Sequence, residues 1–163
     1  MQEEYQNKTH FSHEWLLDEI KKLAPKTILE PGCGFGRTLT YLRNNYPASY
    51  SGIDICKQFV EVARREFPSS IYEGDIYRTI MPGFDLVFTH ALLQHISESQ
   101  YEDSLLNICR MSKRWLILLE GYRVPNQQVN RFIWSRDYRP LLEIYGFKIN
   151  SWKIVGRNFM GIV

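Results

Sequence analysis

Ile28-Leu29-Glu30-Pro31-Gly32-Cys33-Gly34-Phe35-Gly36 is the stretch on which the reading of this chain turns. Thr27-Ile28-Leu29 is a short apolar run, the pattern of a buried parallel strand. It breaks at an acidic residue into three glycines at alternate positions. Such glycines permit a tight turn and let backbone approach a ligand closely. A helix predicted from about Gly36 to Asn45 would then present free N–H groups to that ligand. The spacing is G-x-G-x-G, not the G-x-G-x-x-G of dinucleotide sites. A carboxylate two residues before the first glycine suits a cationic group such as an ammonium better than a pyrophosphate.

Outward from this loop, strand-like and helix-like patterns alternate. Upstream, a helix is predicted from His13 to Leu23 with Ser12 as N-cap, stopped by Pro25. Downstream, Tyr50–Asp54 reads as strand two, Phe59–Arg65 as helix, Ser70–Tyr72 as strand three and Phe84–Thr89 as strand four. Ser97-Glu98-Ser99-Gln100 has the form of a capping box opening the next helix. Trp115–Leu119 is strand five, ending at Glu120. A helix over Arg136–Tyr145, capped by Ser135 and stopped by Gly146, precedes two strands, Phe147–Trp152 and Phe159–Val163. The expected fold is α/β: a doubly wound, mostly parallel seven-stranded sheet with helices on both faces and an antiparallel C-terminal hairpin. With no linker or repeat, residues 1–163 are expected to form a single domain.

Composition narrows the class. At 163 residues with 44% hydrophobic and 23% charged residues, disordered and fibrous chains are excluded. The longest fully apolar run, Trp115–Leu119, is far short of a membrane span. The polar, acidic start is no signal peptide, and Cys33, Cys56 and Cys109 have no metal-type spacing, so a reduced, cytoplasmic protein without a metal is expected. The net charge of +2 hides an asymmetry: residues 1–120 hold 13 Lys/Arg against 16 Asp/Glu, while residues 121–163 hold seven against two. The last quarter could therefore meet an anionic partner, or be a solvated face.

In doubly wound sheets, ligands bind at the carboxyl ends of the strands. There, Asp54 can accept from a ribose diol, and Asp75, in Glu73-Gly74-Asp75-Ile76, from an adenine amino group. Taken together, these residues resemble the Rossmann-type (class I) S-adenosylmethionine-dependent methyltransferases, particularly small-molecule enzymes of sugar and secondary-metabolite pathways. The first motif is the Gly loop; Gly52-Ile53-Asp54-Ile55 corresponds to the ribose motif and Gly74-Asp75-Ile76 to the adenine motif. Phe84–Phe88 with Leu93-Gln94-His95-Ile96 corresponds to the fourth strand and its exit, and Tyr145-Gly146-Phe147 to the lead into the hairpin. Pro31 departs from the small or hydrophobic residue common at its place.

The resemblance implies the cofactor and its ligands. S-adenosylmethionine, leaving as S-adenosylhomocysteine, would be bound by Glu30, Pro31, Gly32, Cys33, Gly34 and Gly36 at its methionine portion. Asp54 would hold the ribose and Asp75 the adenine, with Ile55 and Ile76 sandwiching the ring and Thr89 contributing from strand four. An oxygen acceptor usually needs a base, for which His90 and His95 are the candidates. Glu120, Tyr122, Arg131, Trp134, Arg136 and Tyr138 are the candidate acceptor-binding residues, because arginines clamp anions and aromatics stack on rings. The expected acceptor is a small anionic molecule of sugar or sugar-nucleotide type, methylated on oxygen. A nicotinamide-dependent oxidoreductase and a non-catalytic scaffold are the alternatives. Nucleic acid is disfavoured by the lack of an appended basic domain, and the oligomeric state is not legible.

Overall fold

The computed structural model describes residues 11–121, 127–155 and 158–162. Five strands, β1 (Thr27–Pro31), β2 (Ser49–Asp54), β3 (Ile71–Glu73), β4 (Phe84–His90) and β5 (Ser112–Gly121), run parallel. β8 (Ser151–Val155) and β9 (Asn158–Ile162) form an antiparallel hairpin that joins the sheet through β9 on β5. The strand order is β3-β2-β1-β4-β5-β9-β8. The order reverses between β1 and β4, which opens a crevice above their carboxyl ends.

Strict alternation along the central strands feeds two cores. Ile28, Leu86, Phe88, Ile117 and Leu119 point to one face. They pack there with α1 (Phe11–Leu23), α2 (Arg37–Asn45) and α3 (Lys57–Ala63). Leu29, Val87, Leu116 and Leu118 point to the other, against α4 (Tyr101–Met111) and α5 (Arg139–Ile144). A strand buried on both sides must read as a continuous apolar run, which is why β5 carries the longest one.

Several boundaries differ from expectation, each for a local reason. α1 begins at Phe11, so Ser12 is not its cap; its buried side chain turns to His90. The Ser97 hydroxyl donates to the Gln100 side chain, but α4 starts only at Tyr101. Residues 133–135 form β7 (Ile133–Ser135), which pairs with β6 (Gln127–Asn130) in a separate two-stranded ribbon absent from the sequence reading. The Asn130 carboxamide accepts the Phe132 N–H across the turn. α5 consequently starts at Arg139, whose N–H donates to Asp137. Gly146, at φ +88°, ends that unit as expected. Phe147 and Ile149 do alternate inward, yet ladder pairing begins only at Ser151. Val163 lies outside the described residues.

Candidate active site

Two adjoining cavities share Gly32 at the carboxyl ends of β1, β2 and β4. The first is lined by Glu30, the Gly32–Gly34 loop, Arg37, Thr38 and His90. Glu30 is 3% exposed, and its Oε2 has no hydrogen-bond partner. Burial pushes its carboxyl well up from the usual range, opposed by a hydrogen bond from Thr38 and by the Arg37 guanidinium. A buried carboxylate oxygen without a donor is costly, and a cationic ligand would remove the cost.

The loop around it is shaped for close approach. Gly32, Gly34 and Gly36 all have positive φ. A Cβ on Gly32 would strike Leu92 at 2.7 Å, whereas at Gly34 it would meet nothing within 4 Å, so bare backbone faces open space there. The loop is tied to β2: the Gly32 and Cys33 N–H groups donate to Ile53 O, and Gly34 N–H donates to Asp54 Oδ2 at 2.8 Å. Pro31 and Cys33 are buried, and burial raises the Cys33 thiol pKa. Gly52 is required beneath, since a Cβ there would sit 2.6 Å from Cys33 Sγ.

The second cavity, of ≈ 330 Å³, is within the range of small-molecule sites. Asp54, Ile55, Asp75 and Ile76 all line it. Besides Gly34, Asp54 accepts the Cys56 N–H, and Asp75 accepts the Tyr77 N–H at 3.0 Å. Each engaged oxygen keeps a second lone pair. Ile76 is buried and belongs to the core, while Ile55 stands 69% exposed at the rim. A large bare apolar side chain beside a cavity is what a flat ring would cover.

On the β4–β5 side, the structure redistributes the expected roles. Thr89 lines neither cavity; it is fully buried and its hydroxyl donates to Glu120 Oε1 at 2.7 Å. Glu120 accepts the Leu92 and Gln94 N–H groups as well, so it anchors the 3₁₀ turn Leu93–His95 instead of facing an acceptor. Burial pushes its pKa up to about 7, against these donors. Arg136 is also internal, donating to Leu93 O, Ile96 O and Glu98. Its guanidinium lies over the rings of Tyr101 and Trp134. Tyr138 is a fully buried core residue. Arg139 pairs with Asp137 over Trp152. Arg131 lies on the exposed ribbon turn over Phe132. Tyr122 lies outside the described residues.

The two candidate bases separate. His95 is exposed at the rim of the second cavity. Gln94 Oε1 takes the Gly121 N–H, so its amide nitrogen must donate to His95 Nε2, and His95 Nδ1–H then donates to Phe132 O. This histidine ties the ribbon to the turn. His90 lines the first cavity, with Nε2 3.1 Å from Ser12 Oγ and Nδ1 3.3 Å from Thr38 Oγ1. His13, 1% exposed, packs its ring edge-on at 5.5 Å from His90. Sequence reading had no means to single out His13, Thr38 or Arg37, because α1 and α2 meet the β4 exit only in three dimensions.

Comparison with known proteins agrees with this geometry. A family described as a methyltransferase domain matches residues 28–114, just over half of the chain. The chain is 38% identical over 64 residues to O-methyltransferase cnsE of Penicillium expansum; the match spans 39% of this chain and 23% of that protein. Its fold is similar to that of the methyltransferase domain of bacterial CtHen1-CN. There the TM-score is 0.78 at 16% identity, covering 93% of this chain and 96% of that one. It is likewise similar to SAM-bound CalS10, an amino pentose methyltransferase from Micromonospora echinaspora. In that comparison the TM-score is 0.76 at 14% identity, covering 96% and 92%. Among the described residues, no helix is long and apolar enough to cross a membrane.

Proposed function

The chain belongs to the methyltransferase-domain family, and from that premise we propose that it methylates a hydroxyl of a small acceptor, using S-adenosylmethionine and releasing S-adenosylhomocysteine. The observation that carries this reading is the partnerless buried Oε2 of Glu30 beside the bare backbone of Gly34. When bound, the cofactor supplies a sulfonium-activated methyl group, which leaves orientation, desolvation and proton removal to the protein. Glu30 takes the ammonium. The Gly32–Gly36 loop lets backbone come close, Asp54 accepts from the ribose and Asp75 from the adenine. Ile55 and Ile76 cover the ring.

His90 removes the acceptor's proton, since it lines the same cavity as Glu30. The O-methyltransferase relative and the amino pentose methyltransferase likeness support a hydroxyl on a small, sugar-like molecule. An anionic group on it would meet Arg131, because Arg136 and Arg139 are already paired. His90→Ala should lower turnover roughly 10²–10⁴-fold while S-adenosylhomocysteine still binds. His95→Ala should loosen the ribbon and lower thermal stability more than turnover. Equal, small losses of turnover in both variants would remove the base role. Binding of a nicotinamide dinucleotide in place of S-adenosylhomocysteine would overturn the cofactor.

A further inference from the structure

Gln100, Ser104 and Asn107 follow one another along one face of α4 and its first flanking residue. Two of the three have work inside the protein. Gln100 Oε1 takes the Ser97 hydroxyl at 3.2 Å. Asn107 Nδ2 donates to Ile76 O and Tyr77 O, at 3.1 and 2.9 Å. Ser104 is fully buried and lines the second cavity, yet its Oγ has no hydrogen-bond partner. A serine inside a helix can return its hydroxyl to a carbonyl one turn earlier. Here the Ser104 N–H donates to Gln100 O, at 3.0 Å, and the hydroxyl does not.

An unpaired buried hydroxyl is destabilising, and alanine would be the better helix former at this position. Among the described residues nothing takes the Ser104 proton. No solvent reaches it either, so only a group carried into the depth of the cavity can meet it. A group that merely donated would leave the O–H unpaired, so the matching ligand atom is one with a free lone pair. Asp75 lines the same cavity, and a carboxylate only accepts. Asn107 ties the Ile76–Tyr77 segment beside Asp75 to α4, which holds this acceptor and the Ser104 donor in fixed relation. Adenine offers both complements: an amino group, and ring nitrogens with free lone pairs.

Resting on the reading of the second cavity as the adenine site, we propose that Ser104 is a specificity-determining residue there. Its hydroxyl donates to a ring nitrogen of the base whose amino group donates to Asp75. Ser104 thus acts on which base is held and takes no part in the methyl transfer itself.

Ser104→Ala in the full chain separates this role from a structural one. In thermal melts of the ligand-free protein it should unfold at or above the wild-type midpoint, by up to roughly 4 °C, because an unpaired buried hydroxyl is gone. In calorimetry it should bind S-adenosylhomocysteine roughly 5- to 30-fold more weakly. Three analogues of S-adenosylhomocysteine, with N1, N3 or N7 of the ring replaced by C–H, then locate the bond. One of them should bind wild type and Ser104→Ala equally well, while the other two keep the loss. A midpoint below wild type, or no folded protein, means that the chain itself holds the hydroxyl and overturns the proposal. A loss of equal size with all three analogues overturns it too. If wild type binds no S-adenosylhomocysteine, the functional reading falls and the role of Ser104 with it. If wild type and Ser104→Ala bind it equally, the role of Ser104 alone falls.

Discussion

Glu30 and Glu120 lie at the carboxyl ends of neighbouring parts of one parallel sheet, both nearly inaccessible, and burial raises both. Their hydrogen bonding is opposite. Glu120 accepts from the Thr89 hydroxyl and the Leu92 and Gln94 amides. Glu30 keeps one oxygen with no donor. Of these two buried carboxylates only the one at the β1 end is left unsatisfied, and it lines a cavity, whereas Glu120 at the β5 end holds the turn that walls the cleft.

The contrast is broken most severely by removing the satisfied partner. Glu120→Ala leaves a hydroxyl and two N–H groups buried without an acceptor, at roughly 1–3 kcal/mol each. We expect a loss of roughly 3 kcal/mol or more in denaturant unfolding. A wild-type unfolding curve would mean that Glu120 is no anchor. Arg136→Ala removes donors from two carbonyls and from Glu98, and should cost about 2 kcal/mol of stability. Its acceptor KM should stay put; a raised KM with unchanged stability would return Arg136 to the acceptor site.

On the other side of the comparison, Asp54→Ala should leave the fold largely intact but weaken S-adenosylhomocysteine by roughly 1–3 kcal/mol, read by calorimetry. Unchanged affinity would contradict the ribose assignment. The last effect expected is on pH dependence. Glu120 is raised from its ordinary 4.5 to about 7, and Glu30 is raised too. Between these values the folded state binds more protons than the unfolded one. Their contribution to stability is therefore full below the unfolded value and lost as pH rises through the folded value. Thermal melts of the ligand-free protein should show stability declining from mildly acidic pH through about 7, less so in Glu120→Gln. A rise over that range would show that other groups dominate.

The sheet and the cofactor loop were legible because their signals are local. Alternate glycines, an acid before them and apolar runs of strand length all lie within a few residues. The β6–β7 ribbon escaped because residues 127–135 carry no apolar alternation, only an asparagine turn. Arg136, Tyr138 and Glu120 have the right chemistry for an acceptor site, and composition alone cannot tell an engaged side chain from an open one. Arg136 is consumed by carbonyls some forty residues distant in sequence, a long-range pairing with no sequence signal. The same holds for Thr38, which meets His13 and His90 only through packing of α1 and α2 over β4.

The central claim is that Glu30 waits for a cation. Burial holds its carboxyl well above the usual range, and an ammonium beside Oε2 would draw it back down. Binding must then expel a proton at any pH lying between the free and the bound value. Calorimetric titration of S-adenosylhomocysteine in buffers of different ionisation enthalpy measures that directly. Wild type should release protons, and Glu30→Gln should bind more weakly with that release abolished. Equal affinity in the two proteins, or binding without proton release in the wild type, would contradict the account.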